Sequence, residues 1–317
     1  MVMRFTARQL GGLLCLLLFS SLTWADNNNA HQLLKKMSEA GQNLSYRGSF
    51  TYEHGSSIES FRVVRWTDEG VNYERLEHLS GPERQFIRPV RPKGCTPFGG
   101  ALLQDRLSRL GSDGAEIDRY YRLVAYEQER VAGRHAQVIQ IIPRDKMRYG
   151  YVVSLDQATG MLLKTLLLDE QQRVVERFQF IEFDAAPQAV ELEPHVQAQL
   201  HSQGTAGMED CVLEVGAGPR DWRFQWLPPG FEFSGEKLIN DHTRMLMYTD
   251  GLATFSIFIQ PRGDQFLIEG RAQRGATTAY MGAVSDGRQE YRLTVVGEVP
   301  SAVAEQLAQS LRPHTGH

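Results

Sequence analysis

The sequence predicts an α+β protein that consists mainly of antiparallel β-sheet, with a large N-terminal and a smaller C-terminal part. Short segments rich in β-branched and aromatic residues recur along most of the chain, and tight turns such as residues 68–70 and 156–160 separate them. Such short connections join antiparallel strands, because parallel strands need crossovers of about a dozen residues or more. Helical periodicity is confined to a few short stretches.

The predicted elements follow one another in a simple order. An amphipathic helix is predicted over residues 33–44, where apolar residues recur at helical spacing. A second helix is predicted over residues 102–110, and a third begins after Pro300 and ends at Pro313. The predicted strands cover residues 46–52, 58–66, 71–79, 120–130, 137–143, 149–155, 162–168 and 174–183 in the large part, and 237–248, 252–260, 277–284 and 288–296 in the small part.

The first 25 residues have the pattern of a secretory signal peptide. Arg4 and Arg8 precede an apolar run over residues 10–22, and the small residues Thr23 and Ala25 stand at the −3 and −1 positions of a cleavage site. The apolar run is shorter than the ~20 residues that span a bilayer. We therefore expect cleavage after Ala25 and an exported chain.

Composition excludes some classes of partner. The formal charge of the 317 residues is −4, and removal of Arg4 and Arg8 with the signal peptide takes it to −6. Nucleic-acid binding depends on lysine and arginine residues that neutralise phosphates, and the mature chain has no basic block. Binding to nucleic acid is therefore not expected.

The boundary between the two parts is predicted from a change in composition. Residues 184–210 contain proline, glycine and polar residues without periodicity, which is typical of a linker. The predicted large domain covers residues 26–183 and the small domain residues 211–317. Cys95 and Cys211 lie on the two sides of this linker. In an oxidising compartment they can form one disulfide, or they can remain separate thiols, and their spacing does not decide between the two.

Motifs that carry chemistry are missing from the sequence. It contains no Gly-x-Ser-x-Gly, no His-Glu-x-x-His, no Cys-x-x-Cys and no glycine-rich phosphate loop, and its nine histidines are scattered. We therefore predict no catalytic site, no metal site and no cofactor. The strands instead carry many apolar side chains, which form either a filled core or a partly filled sheet face that admits a lipid tail.

Several segments resemble one protein family. They are residues 142–151 (IPRDKMRYGY), 155–164 (LDQATGMLLK), 226–231 (WLPPGF), 248–259 (YTDGLATFSIFI) and 296–300 (VGEVP). In this order they are similar to the MucB/RseB family of periplasmic regulators of the extracytoplasmic stress sigma factor. The resemblance extends over nearly the whole mature chain and both of its parts.

The resemblance implies a fold and a function. The large domain is expected to be a half-open barrel similar to LolA and LolB and covered by helices, and the small domain an antiparallel sheet with one helix. The family binds the periplasmic region of a membrane-spanning anti-sigma factor (RseA or MucA), protects it from regulated proteolysis, and is released by a lipid or lipoprotein signal. It has no catalytic residues. One alternative is a periplasmic carrier of lipid or lipoprotein without a signalling partner, and another is an envelope hydrolase whose site the motifs do not reveal. Homo-oligomerisation stays open.

Candidate binding residues follow from side-chain type and position. Exposed tyrosine, tryptophan and arginine side chains often anchor interfaces, and the alternative for each is packing inside the fold. The candidates for partner binding are Arg148, Tyr149, Tyr151, Trp226, Phe231 and Tyr248. The candidates for lipid binding are Val152, Leu166, Phe178 and Phe180.

Overall fold

Two antiparallel sheets account for most of the described residues, and this confirms the predicted fold class. The structure is a computed structural model that describes residues 22–68, 70–89, 114–185, 219, 221–263 and 269–313. A nine-stranded sheet has the order β4-β3-β2-β1-β9-β8-β7-β6-β5, a six-stranded sheet the order β11-β12-β13-β16-β15-β14, and β10 pairs with β17. We use "large domain" for the first sheet with its helices and "small domain" for the rest.

The large domain is a meander whose first and last segments meet in the middle of the sheet. Every pair of neighbouring strands is antiparallel, and β1 pairs with β9 although most of the sheet separates them in sequence. Strands β4 and β5 form the two edges of the described sheet. The strands are β1 Tyr46–His54, β2 Ser57–Asp68, β3 Val71–His78, β4 Gln85–Pro89, β5 Tyr121–Val131, β6 Arg134–Pro143, β7 Gly150–Asp156, β8 Leu162–Leu168 and β9 Val174–Asp184.

Helix α1, Leu22–Asn43, covers one face of this sheet, which we call the inner face. Ala30, Leu34 and Met37 are buried and belong to one hydrophobic cluster with side chains of β5 to β8. The guanidinium of Arg65 donates to the carbonyls of Gly41 and Gln42 at the end of α1. The last carbonyls of a helix lack partners inside the helix, so Arg65 both caps α1 and ties it to the sheet. A short helix, α2, covers Gly114–Tyr120.

A second cluster on the inner face is built from aromatic rings of β1, β2 and β9, and we call it the aromatic cluster. Its rings lie 4.8–6.1 Å apart between centroids, in tilted, stacked and edge-to-face arrangements. Such pairs add to the free energy gained by burial of the ring surfaces. The members are Tyr46, Phe50, Phe61, Phe178, Phe180 and Phe183.

The small domain packs its six-stranded sheet against one helix. Val303, Ala304 and Leu307 of the helix α3, Ser301–Ser310, are buried against the apolar face of the sheet. Its strands are β10 Trp222–Phe224, β11 Glu232–Asn240, β12 Thr243–Thr249, β13 Thr254–Pro261, β14 Gly270–Arg274, β15 Thr277–Ser285, β16 Glu290–Gly297 and β17 Leu311–Pro313.

One predicted strand is wrong. The sequence pattern indicated a single strand over residues 237–248, but the structure has two strands with a turn at Asp241 and His242. The side-chain oxygen of Asn240 accepts a hydrogen bond from the backbone N–H of His242, 3.0 Å away. Asparagine favours turns through such local bonds, and this signal was missed. Strands β4, β10, β14 and β17 were not predicted either.

Several predictions fall outside the described residues. These are the helix over residues 102–110, Cys95, Cys211, nearly all of the linker and residues 1–21 of the signal peptide. The disulfide, the domain bounds and cleavage after Ala25 therefore stay predictions. Among the helices of the described chain, none combines the length and the apolar character that a membrane span requires.

Candidate functional site at the domain junction

The described parts of the two domains meet at the end of the inner face where β6 turns into β7. Leu252 and Ala276 of the small domain are buried in the same hydrophobic cluster as Tyr121, Tyr151 and Leu167 of the large domain. The small domain therefore closes this end of the inner face with apolar side chains. We call this contact region the junction.

Arg148 lies at the centre of the junction. It stands in the loop between β6 and β7, and its side chain is fully buried. Its Nη1 donates to Oδ2 of Asp250 at 2.6 Å and its Nη2 to the carbonyl of Pro229 at 2.6 Å, both in the small domain. Its Nε donates to Asp145 in its own loop at 3.1 Å. The guanidinium fork thus joins three acceptors from the two domains.

Three aromatic rings enclose the same guanidinium. Its central carbon lies 5.0 Å from the ring centroid of Tyr120, 5.5 Å from that of Tyr121 and 5.4 Å from that of Phe231. A cation within about 6 Å of an aromatic centroid is attracted by the ring. Since Tyr120 and Tyr121 belong to the large domain and Phe231 to the small domain, the rings around Arg148 also come from both domains.

Asp250 divides its two carboxylate oxygens between the small domain and the junction. Oδ1 accepts the backbone N–H groups of Leu252 and Ala253 at 2.9 and 2.7 Å and so fixes the turn after β12. Gly251 follows with φ +93°, a conformation that glycine adopts without strain. Oδ2 accepts Arg148 and the hydroxyl of Tyr121, the latter at 2.9 Å. The turn therefore aims the second oxygen at the other domain.

The titration behaviour of this cluster follows from its burial and charges. Burial raises the pKa of Tyr121 well above its ordinary value, the charge of Asp250 raises it further, and Arg148 acts in the opposite direction. Burial alone would lower the pKa of Arg148, but Tyr121, Asp250 and Asp145 outweigh it, so the pKa is raised. At neutral pH Tyr121 is a protonated donor and Arg148 is a cation.

A second set of contacts joins β9 and β1–β2 to the β14–β15 hairpin. Glu176, only 5% exposed, accepts the backbone N–H of Ala276 at 2.7 Å. Arg274 lies 3.1 Å from Nε2 of the buried His54 and 3.3 Å from Oε1 of Glu59. These contacts fix the small domain at a site away from Arg148 and so restrict its rotation.

Two glycines of the small domain allow this close approach. A Cβ on Gly230 would overlap the ring of Tyr120, and a Cβ on Gly275 would overlap the carboxylate of Glu176. Their φ angles are +87° and +59°, in the left-handed region that favours glycine. At each position, both the positive φ angle and the lack of space for a Cβ favour glycine.

The candidates for partner binding do not form an exposed surface. Their predicted exposure is wrong for five of the six, because those side chains pack inside the fold, and Trp226 is partly buried. Direct contact of these residues with a partner stays a prediction. Arg148, Tyr149 and Phe231 lie at the junction, Tyr151 lies in the cluster beneath α1, and Tyr248 stacks on Phe255 in the small-domain core.

The candidates for lipid binding lie on opposite faces of the large sheet. Phe178 and Phe180 are buried in the aromatic cluster on the inner face. Phe178 pairs with Thr165, and neighbouring side chains along a strand alternate between faces. Leu166 and its register partner Val152 therefore point to the outer face, so the four side chains cannot line one cavity.

Sequence analysis did not select several residues of the junction, namely Tyr120, Tyr121, Glu176, Asp250, Leu252 and Ala276. The Asp250-Gly251 pair indicated a turn, and that turn exists. The sequence holds no sign that one oxygen of Asp250 reaches across to Arg148, because that contact depends on how the domains dock.

The chain matches known proteins over both domains. The sequence model of the MucB/RseB N-terminal domain matches residues 29–200, and that of the MucB/RseB C-terminal domain matches residues 217–312. The chain is 33% identical to the "Sigma factor AlgU regulatory protein MucB" of Pseudomonas aeruginosa over 299 residues, which cover 90% of this chain and 91% of that protein. It is 26% identical over 333 residues to the "Sigma-E factor regulatory protein RseB" of Haemophilus influenzae, with 98% of each chain covered.

Solved structures match in the same way. A crystal structure of MucB in complex with MucA(peri) shares 30% identity, covers 90% of this chain and 100% of its own, and has a TM-score of 0.70. A crystal structure of MucB shares 31% identity with this chain and has a TM-score of 0.61. The match covers 90% of this chain and 98% of that structure's chain. Since the two domain models together match most of the sequence and the relatives span both domains, this chain belongs to the MucB/RseB family.

Proposed function

We propose that this chain is a periplasmic regulatory protein that binds the periplasmic region of a membrane-spanning anti-sigma factor. By doing so it protects that partner from regulated proteolysis and restrains the envelope-stress sigma factor. The observation that carries this proposal is the match of both domains to solved structures of MucB in complex with MucA. The relatives are named as regulatory proteins of sigma factors, not as enzymes.

Export to the periplasm is part of the proposal. The basic residues, the apolar run and the small residues around Ala25 support it. An anti-sigma factor that spans the inner membrane presents its outer region in that compartment, so the two proteins can meet only if this chain is exported.

A lipid or lipoprotein signal is proposed to release the partner. The inner face of the large sheet supports this, because it carries two apolar clusters, the aromatic cluster and the cluster beneath α1. A ligand shifts a protein between two states only by its differential affinity for them. The lipid must therefore prefer a state of the protein that the partner does not.

The experiment is a binding and protection assay with the mature full-length chain. Purified MucA periplasmic region is titrated into the chain in a calorimeter. In a second assay, the protease that makes the regulated cut in MucA is added, and cleavage of MucA is followed with and without the chain. We expect saturable binding and slower cleavage. An absence of binding would overturn the proposal. Capture of many lipoproteins from membrane extracts, without capture of one anti-sigma factor, would favour the carrier function.

Deletion of the gene provides the test in the cell. With a reporter driven by the stress sigma factor, we expect the deletion strain to show higher output in unstressed cells. Unchanged output would contradict a restraining role.

A further inference from the structure

We infer that Arg148 and Asp250 are positioning residues whose ion pair holds the two domains in the orientation that binds the anti-sigma partner. The same pair keeps the small domain seated over the end of the inner face, where acyl chains are proposed to bind. This inference rests on the proposed function. It predicts that loss of the pair changes the affinities for partner and acyl chain in opposite directions.

The first step in the argument is the burial of the pair. Neither side chain of the ion pair is exposed, and a shift that parts them without admitting water would leave the carboxylate of Asp250 without its cation, while Arg148 would keep only Asp145. Breaking a buried pair is unfavourable because the remaining charge is uncompensated. The paired state is therefore preferred over arrangements in which the junction stays closed but Asp250 has moved away from Arg148.

The second step is the directionality of the hydrogen bonds that Arg148 donates. Apolar surfaces can slide past one another, whereas the Arg148 fork needs acceptors at fixed positions. Two of these acceptors, Asp250 and the carbonyl of Pro229, lie on separate turns of the small domain. Two points of attachment fix the orientation of that domain as well as its distance.

The third step concerns what the small domain covers. Leu252 lies two residues after Asp250, and Ala276 is bonded to Glu176; both are buried against the inner-face cluster. If the ion pair is lost, Leu252 is no longer held in place, and the small domain can pivot about the remaining bond between Ala276 and Glu176. The end of the inner face then becomes accessible to an acyl chain.

A partner that contacts both domains gains affinity from a fixed orientation. If only a fraction of molecules has the binding orientation, the apparent dissociation constant rises by the reciprocal of that fraction. A variant that holds this orientation about one tenth of the time binds about tenfold more weakly. An acyl chain that binds the open state shows the reverse change, since the two ligands are linked through one equilibrium.

The decisive variant is Asp250→Asn in the mature full-length chain. The asparagine oxygen can still accept the N–H groups of Leu252 and Ala253, so the turn is kept, but the charge opposite Arg148 is lost. The matched control is Asp286→Asn. Asp286 fixes an equivalent turn through the N–H groups of Arg288 and Gln289 and accepts the hydroxyl of Tyr291, and none of these residues lies at the junction.

Three quantities are measured for each protein. They are the dissociation constant for purified MucA periplasmic region, the dissociation constant for a fluorescent undecanoyl probe, and the radius of gyration in solution. For Asp250→Asn we expect about tenfold weaker MucA binding, tighter probe binding and a larger radius of gyration. For Asp286→Asn we expect wild-type values.

A second pair of variants opens the junction without a change in charge. Gly230→Ala places a Cβ against the ring of Tyr120, whereas Gly287→Ala meets no atom within 4 Å, and the two φ angles are nearly equal at +87° and +86°. The strain that comes from φ is therefore matched, and only Gly230→Ala is expected to reproduce the effects of Asp250→Asn. This pair still tests the inference if Asp250→Asn does not fold.

The outcomes separate the two proposals. If the wild-type chain does not bind MucA, the proposed function fails whatever the variants do. If the wild type binds and the junction variants match their controls in both affinities and in radius of gyration, the positioning role of Arg148 and Asp250 is wrong. If both affinities fall together in the junction variants, general destabilisation explains the result and the inference is also overturned.

Discussion

The carboxylate of Glu176 in the large domain accepts a hydrogen bond from the backbone N–H of Ala276 in the small domain, at 2.7 Å. A buried carboxylate needs hydrogen-bond donors, and here the other domain supplies one. Gly275, directly before Ala276, lies so close to Glu176 that a Cβ would overlap its carboxylate. The docking of the domains thus depends on a backbone amide and on the lack of a side chain.

Replacement of Gly275 by alanine should weaken the docking of the domains. The φ angle of +59° already disfavours alanine, at a cost of about 1–2 kcal/mol. The new Cβ must in addition displace Glu176 from Ala276. We expect Gly275→Ala to lower the free energy of unfolding, measured in urea, by clearly more than this strain.

The matched control for this prediction is Gly55→Ala. Gly55 has φ +57°, and a Cβ at this position would meet no atom within 4 Å. It therefore reports the strain alone. If Gly275→Ala and Gly55→Ala lowered the free energy of unfolding by the same amount, a role for Gly275 in docking would be contradicted.

The hydroxyl of Tyr121 should contribute to stability below pH 10 and lose that contribution in alkali. It donates to Asp250, and a hydrogen bond to a charged group contributes about 1.5–3 kcal/mol. We expect Tyr121→Phe to lower the free energy of unfolding by about this amount at pH 7.

The alkaline behaviour follows from the direction of the pKa shift. Burial and Asp250 raise the pKa of Tyr121 in the folded chain, so the contribution is complete below the unfolded value of about 10 and is lost as the pH rises above it. Stability of Tyr121→Phe should therefore fall less steeply than that of the wild type above pH 10. Replacement of the half-exposed Tyr126 by phenylalanine serves as the control, and an unchanged alkaline slope in Tyr121→Phe would contradict the prediction.

Local patterns predicted the strands well because each strand is set by its own neighbours. Residues 137–143, 149–155 and 162–168 were predicted from short apolar runs between turns, and strands β6, β7 and β8 stand there. The hairpin turn at Asp241 was missed because apolar residues on both sides concealed it. Both the correctly predicted strands and the missed turn thus depend on residues that are close together in the sequence.

The junction could not be predicted in this way because it depends on docking. Arg148 was selected as an exposed anchor, but nothing local to it indicates that Asp250 and Pro229 bury it. Two of the segments that carry the family resemblance, residues 142–151 and 248–259, contact each other across the junction through Arg148 and Asp250. A sequence motif can therefore identify a family while the physical role of its residues is visible only in three dimensions.

The two groups of lipid candidates should behave differently on truncation. Phe180 is fully buried among aromatic rings, and replacement of such a residue by alanine costs about 3–5 kcal/mol. Leu166 is partly buried on the outer face, so Leu166→Ala should cost about 1 kcal/mol. Urea unfolding of the two variants measures both values.

Lipid binding provides the functional side of the same comparison. We expect the smaller substitution Phe180→Leu to weaken binding of the undecanoyl probe, because the ring lies on the inner face. Leu166→Ala should leave it unchanged. Weaker binding in Leu166→Ala with no change in Phe180→Leu would place the acyl site on the outer face instead.

The ion pair of Arg134 and Asp156 should make the large domain sensitive to acid. Nε and Nη2 of Arg134 donate to the two carboxylate oxygens at 2.8 and 2.9 Å, and Thr159 donates its N–H and its hydroxyl to Oδ2. Burial alone would raise the pKa of Asp156, but the hydrogen bonds from Arg134 and Thr159 outweigh it and lower the pKa. The stabilisation is therefore present above the unfolded value of about 3.9 and is lost as the pH falls through the lower folded value.

Asp156→Asn tests this linkage. The variant should be less stable than the wild type by about 1–3 kcal/mol at pH 7, and the difference should shrink below about pH 4 as the wild-type carboxylate becomes protonated. Urea unfolding at pH 7, 5, 4 and 3 would measure it. Arg134→Gln, which keeps the carboxylate but removes its cation, should bring the folded pKa of Asp156 closer to the unfolded value, so that less stability is lost on acidification. A constant difference between wild type and Asp156→Asn at every pH would show that packing, and not the charge of Asp156, stabilises this end of β7.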